Sequence, residues 1–169
     1  MRATDRRERR AGHRAHADCA GGVYGSMLAA SVVVGAGSLG SFPRAELVLL
    51  LLLTGLVFWI AHVHAELFGA RLARHPPDRR VILDVCRDEG PIAKAAVPPA
   101  AAVAVSPLLP LDFQGALWLA LSVAVAGQVG WSVAAARRAG ASRRLVAATA
   151  AVNVLLGLVI VAAKIALTH

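Results

Sequence analysis

The stretch LVLLLLLTGLVFWI, residues 47–60, decides the class of this chain. No charged side chain interrupts it, and the apolar run continues to Ala70 with only His62, His64 and Glu66 set into it. A helix rises about 1.5 Å per residue, so about 20 apolar residues cross the ~30 Å hydrocarbon core of a bilayer. A helix that is apolar on every side has no place on the surface of a soluble domain. Pro43 ahead of the run suits a helix start. Arg71, Arg74, Arg79 and Arg80 follow it, with Pro76-Pro77 as a helix break.

Similar blocks recur on both sides. Apolar segments cover residues 20–42, 46–69, 91–109, 113–136 and 145–167, and alternate connections between them are arginine-rich. The whole chain of 169 residues is 57% hydrophobic, against about 45–50% in ordinary soluble proteins. The reading is an all-α polytopic membrane protein, a bundle of five transmembrane helices filling one domain over 20–169. Pro98-Pro99 predicts a kink in the third span, whose freed carbonyls neighbouring helices must satisfy. Residues 78–90 predict a short amphipathic helix on the inner membrane surface. Val81, Ile82 and Val85 share one of its faces, while Arg80, Asp84 and Arg87 point away. Residues 1–19 hold Arg2, Arg6, Arg7, Arg9, Arg10 and Arg14 with little to bury, which predicts a basic cytoplasmic tail, disordered or lying on the surface. A signal peptide cleaved near Ala36–Ser38 is the rival reading of the first block, but its apolar stretch is longer than a typical signal core, which favours a retained span.

The arginines set the expected orientation. The N-tail, the 71–90 connection and the 137–144 connection are basic, whereas those near Arg44 and Asp112 are not. By the positive-inside rule this places the N-terminus inside and the C-terminus outside a bacterial cytoplasmic membrane. The net charge of +8 then reflects contact with anionic head groups and not nucleic-acid binding. Cys19 and Cys86 form no CxxC and both fall on the expected cytoplasmic side, so no disulfide is expected.

Helices in lipid associate by close packing and hydrogen bonding. The fourth span offers a ridge of small residues, Ser122, Ala126, Gly130 and Ala134, and the first offers Gly21, Gly25 and Ala29. Both ridges are expected inside the bundle, with the bulky 47–53 run facing lipid. Phe113, Trp118 and Tyr24 read as interfacial anchors, Trp59 and Trp131 as packed between helices, and Lys164 as snorkelling to the head groups.

Counting 1.5 Å per residue from the inner boundary places His62, Gln128, Asn153, Pro99 and Ser31 in one polar layer about 12 Å deep. Such a layer can be a site, with His62 as proton carrier or ligand. It can equally be interhelical hydrogen bonding, with Gln128 paired to Asn153. Near the inner boundary, Glu66 is expected to pair with Lys94 or Arg71. His62 and Glu66 share a helix face while His64 points about 200° away, so the three cannot bind one metal from a regular helix. His13, His16 and Cys19 are spaced by three but have no fourth ligand nearby. No metal site and no cofactor is expected. GxSxG, HExxH and P-loop motifs are absent from the sequence, and no acidic pair falls in an expected span.

Three segments carry a resemblance: Tyr24-Gly25-Ser26, Phe58-Trp-Ile-Ala-His-Val-His-Ala65, and the Pro98-Pro99 kink. With them the chain resembles small uncharacterised five-span integral membrane proteins of actinobacteria, which implies a membrane class and no particular activity. The expected role is a non-enzymatic accessory or interaction component of the membrane, with a membrane-protein partner or a second copy. The alternative is a small proton or cation transporter or channel subunit built on the polar layer. A membrane enzyme ranks third.

Overall fold

A computed structural model describes residues 3–38, 43–72 and 78–168, with side chains over 19–38, 43–70 and 78–166. The elements are α1 (Ala3–Ser38), α2 (Arg44–Leu72), α3 (Arg79–Asp88), α4 (Gly90–Ala95), α5 (Val97–Val105), a 3₁₀ turn (Ser106–Leu108), α6 (Phe113–Arg138) and α7 (Arg143–Thr168). Among the described residues there is no strand. Five stretches are long and apolar enough to cross a membrane: Cys19–Ser38, Arg44–Ala70, Arg79–Leu108, Phe113–Arg138 and Arg143–Ala166. This is the build of a multi-pass membrane protein.

The helix ends follow local chemistry. Asp112 caps α6, its Oδ1 accepting from Gly115 N at 2.7 Å, which satisfies one of the orphan donors of the first turn. Asp78 accepts from Arg79 N at the start of α3. Gly140 closes α6 with φ of 68°, the left-handed conformation that a side chain resists. The two prolines do more than bend the third span. The chain stops being one helix at Ala96, whose N–H turns back to Ala93 O at 3.2 Å, and α5 restarts with proline in its first turn. The amphipathic helix expected over 78–90 is α3, which buries no residue. The Pro76-Pro77 break lies outside the described residues.

One boundary differs from expectation. α1 begins at Ala3 and not near Ala20, so the backbone of the arginine-rich tail continues the first span. Arginine, glutamate and alanine are good helix formers, and a helix already nucleated by the span extends through them at little cost.

α1 is the hub. It packs against α2, α4, α6 and α7, and the antiparallel pair α1·α6 is the most extensive contact. Along that pair Gly22 meets Trp131, Ser26 meets Gly127 and Gly37 meets Leu117. The core joins Ala29, Ala30 and Val33 of α1 to Leu117, Ala120, Leu121 and Ala124 of α6, with Leu47, Leu51, Ala100 and Val103 beside them. Gly21 and Gly25 lie against Ile92 of α4, so the expected first-span ridge does face the bundle. Gly55 of α2 meets Ala93 and Ala96, and Trp59 donates from Nε1 to Cys86 O at 3.0 Å. The 47–53 run divides: Leu47 and Leu51 are buried, while Leu49, Leu50, Leu52 and Leu53 are exposed. At the opposite end, Arg44 Nη2 donates to Leu111 O at 2.8 Å and ties the start of α2 to the loop before α6.

The expected ridge on the fourth span needs correction. Ser122, Ala126 and Gly130 are exposed and Ala134 is half-buried, and nothing lies within 4 Å of where a Gly130 side chain would begin. The buried stripe is Ala116, Ala120, Ala124, Gln128 and Ser132. It has the same i+4 spacing but is offset by two residues, or about 200° around the helix. Leu117 and Leu121 flank this stripe and supply the bulk that fills the space against α1, whereas the other ridge runs beside exposed Trp118.

Candidate functional site

The residues of the expected polar layer do not come together as one group. Gln128 and Asn153 do meet. Gln128 Nε2 donates to Asn153 Oδ1 at 3.2 Å and lies 3.4 Å from Asn153 O, and Asn153 Nδ2 donates back to Thr149 O at 3.0 Å. Both side chains are buried, where an amide left without a partner would cost about 1–3 kcal/mol. Gln128 Oε1 is buried without a hydrogen-bond partner. Ser31 stands apart: it is exposed, and its Oγ donates to Met27 O at 3.0 Å on its own helix. Pro99 is buried where α5 begins.

His62 belongs to a different cluster. Its Nδ1 lies 2.9 Å from Phe58 O, and its ring centroid is 5.1 Å from that of Tyr24. His62, Tyr24, Glu89 and Ile92 border a cavity of about 260 Å³ with Ala20 and Gly21. Glu89 is the C-terminal cap of α3, and no sequence motif marks it. His64 points elsewhere and stacks on Phe68, with centroids 6.4 Å apart.

Glu66 and Lys94 are both exposed. Lys94 neighbours Ala93, which packs at Gly55, and Glu66 lies further along α2 by about 16 Å at 1.5 Å per residue. The side chain of Arg71, the alternative partner, lies outside the described residues, as do those of His13 and His16. Among the described residues no group of three metal-ligating side chains gathers.

A larger cavity, about 560 Å³, lies between α1, α6 and α7. Cys19, Tyr24, Ser132, Ala136, Thr149 and Asn153 are among its lining residues. Ala20 and Tyr24 line both cavities, so this face of α1 is the wall between the His62 cluster and the Gln128–Asn153 pair. At the mouth, Arg138 Nη1 lies 3.9 Å from Cys19 Sγ.

Lys164 does not extend outward as expected. It is buried, with Nζ 4.2 Å from the centroid of the Trp118 ring. A cation over an indole face is attracted by the ring quadrupole, and this contact takes the place of open snorkelling. The sequence placed both residues near the same end of the bundle without pairing them.

Compared with known proteins, the chain matches no family model, no curated protein and no solved structure.

Proposed function

We propose that this protein is a non-enzymatic accessory or interaction component of the bacterial cytoplasmic membrane, with its N-terminus inside and its C-terminus outside. One observation carries the reading. Several polar side chains set into the spans are engaged with one another or with their own backbone: Gln128 Nε2 with Asn153, Ser26 with Gly22 O, Ser132 with Val129 O. The Gln128–Asn153 bond joins two helices, the serine bonds satisfy hydroxyls within their own helices, and none of them needs a ligand to account for it. The basic connections on alternate sides support the orientation, and a kinship with small actinobacterial five-span proteins belongs to the same proposal.

A second reading, a proton or cation carrier, is favoured by the His62–Tyr24–Glu89 cavity, since ionisable groups held within spans mark ion pathways. Flux measurements on the full chain in liposomes separate the two. The accessory reading expects no proton or cation flux above empty liposomes, and a stoichiometric membrane partner in a pull-down from native membranes. Flux that is lost in His62→Ala would overturn it.

A further inference from the structure

We infer that the groove between α1, α6 and α7 is a binding site for an anionic phospholipid, with one acyl chain along the groove and the phosphate at Arg138, Arg143 and Arg144. This goes beyond the accessory reading and holds under either role.

The chemistry of the wall selects hydrocarbon. The cavity of about 560 Å³ falls within the ~300–1,000 Å³ range of ligand pockets. Three of its polar lining residues spend their donors on backbone carbonyls: Ser132 Oγ donates to Val129 O at 2.8 Å, Thr149 Oγ1 to Leu145 O at 2.9 Å, and Asn153 Nδ2 to Thr149 O at 3.0 Å. Ala135, Ala136 and Ala139 keep the α6 side open. A sugar or a nucleotide would find few unpaired donors there. A chain of methylenes asks for none.

The chemistry of the mouth selects an anion. Ala139, Ala141 and Leu145 line the cavity at that end; Arg138 and Arg144 are their immediate neighbours in sequence, and Arg143, two residues before Leu145, adds its charge to the same end of α7 from the far face. Arg138 already reaches across to Cys19 of α1. Arg143 and Arg144 occupy the first turn of α7, where the helix dipole is positive and disfavours a cation. Ser142 caps this turn, its Oγ accepting from Leu145 N at 3.4 Å, and a phosphate placed there is drawn by the dipole and the guanidinium groups together. Arginine at a helix N-terminus beside an apolar groove fits an anionic lipid site between spans. Orientation by the positive-inside rule accounts for basic charge at this end in general, but not for a groove beneath it.

Native mass spectrometry of the full-length protein in mild detergent tests this, with phosphatidylglycerol or phosphatidylcholine titrated in. The expected result is half-occupancy by phosphatidylglycerol at a several-fold lower concentration than phosphatidylcholine. The Arg138→Gln/Arg143→Gln/Arg144→Gln variant should bring the two together, and Arg79→Gln/Arg80→Gln should leave the preference intact. Ala136→Phe, which fills the groove without touching charge, should weaken both lipids, and it decides the matter should the triple variant not fold. Glycerol 3-phosphate in millimolar excess should not displace the lipid. Equal retention of the two lipids by the native chain overturns the proposal. So does an equal loss of preference in the Arg79/Arg80 variant, unchanged binding in Ala136→Phe, or displacement by the free head group.

Discussion

Gln128 on α6 and Asn153 on α7 are joined side chain to side chain at 3.2 Å, both buried in the bundle. The bond locks the rotation of α7 relative to α6, where apolar contact alone would allow sliding. In a double-mutant cycle of Gln128→Leu and Asn153→Leu, read by unfolding in mixed micelles, the coupling energy should be favourable. Its expected size is about 0.6 kcal/mol and under ~2 kcal/mol. A coupling of zero would mean that the two amides do not meet in the folded protein.

Glycine positions separate tight from open faces. A side chain on Gly22 would run into the Trp131 ring, and one on Gly25 into Ile92 O. Gly22→Ala and Gly25→Ala should each destabilise the protein by about 1–3 kcal/mol, the usual penalty of overpacking. Gly130→Ala, with nothing within 4 Å of its new methyl, should be neutral or stabilise by up to ~1 kcal/mol through helix propensity. Thermal melting of the three variants side by side gives the order. Destabilisation by Gly130→Ala equal to that by Gly25→Ala would reverse the assignment of faces.

Lys164 Nζ sits 4.2 Å from the Trp118 ring centroid. Trp118→Leu should therefore cost more stability in the native background than in Lys164→Met. The expected difference is about 0.5–2 kcal/mol. Equal losses in the two backgrounds would show that Trp118 contributes only packing.

Orientation follows from labelling. Gly140→Cys should react with an impermeant maleimide only from the cytoplasmic side, and Asp112→Cys only from outside, both in a background lacking Cys19 and Cys86. Reaction of residue 140 in intact cells would invert the proposed topology.

The residues show how far sequence reasoning reached. The spans were legible because each depends only on the length of an apolar run: 113–136 was expected and α6 is Phe113–Arg138. The face of a helix was harder to read. Ser122, Ala126, Gly130 and Ala134 have the same spacing as the stripe through Gln128, and spacing alone points to that ridge as the packed one although the two lie about 200° apart. A polar residue within a span points inward, so Gln128 alone marked the buried stripe. The depth argument paired Gln128 with Asn153 correctly, because both are on neighbouring antiparallel helices. It misplaced His62, because depth carries no information on which side of α1 a residue falls. Glu89 and the Lys164–Trp118 contact depend on how α3 and α7 settle against their neighbours, and no local pattern encodes that.

α1 precedes every helix that packs on it. As the chain leaves the ribosome, the segment bearing Ala29, Ala30 and Val33 enters the bilayer before the partners that will cover those side chains, and α6, its most extensive neighbour, is made much later. The small-residue face of the nascent first span must wait in lipid through the synthesis of the second and third. During that interval it is open to capture by an insertase or by the first span of another copy, so assembly is most vulnerable before residue 113 has been translated.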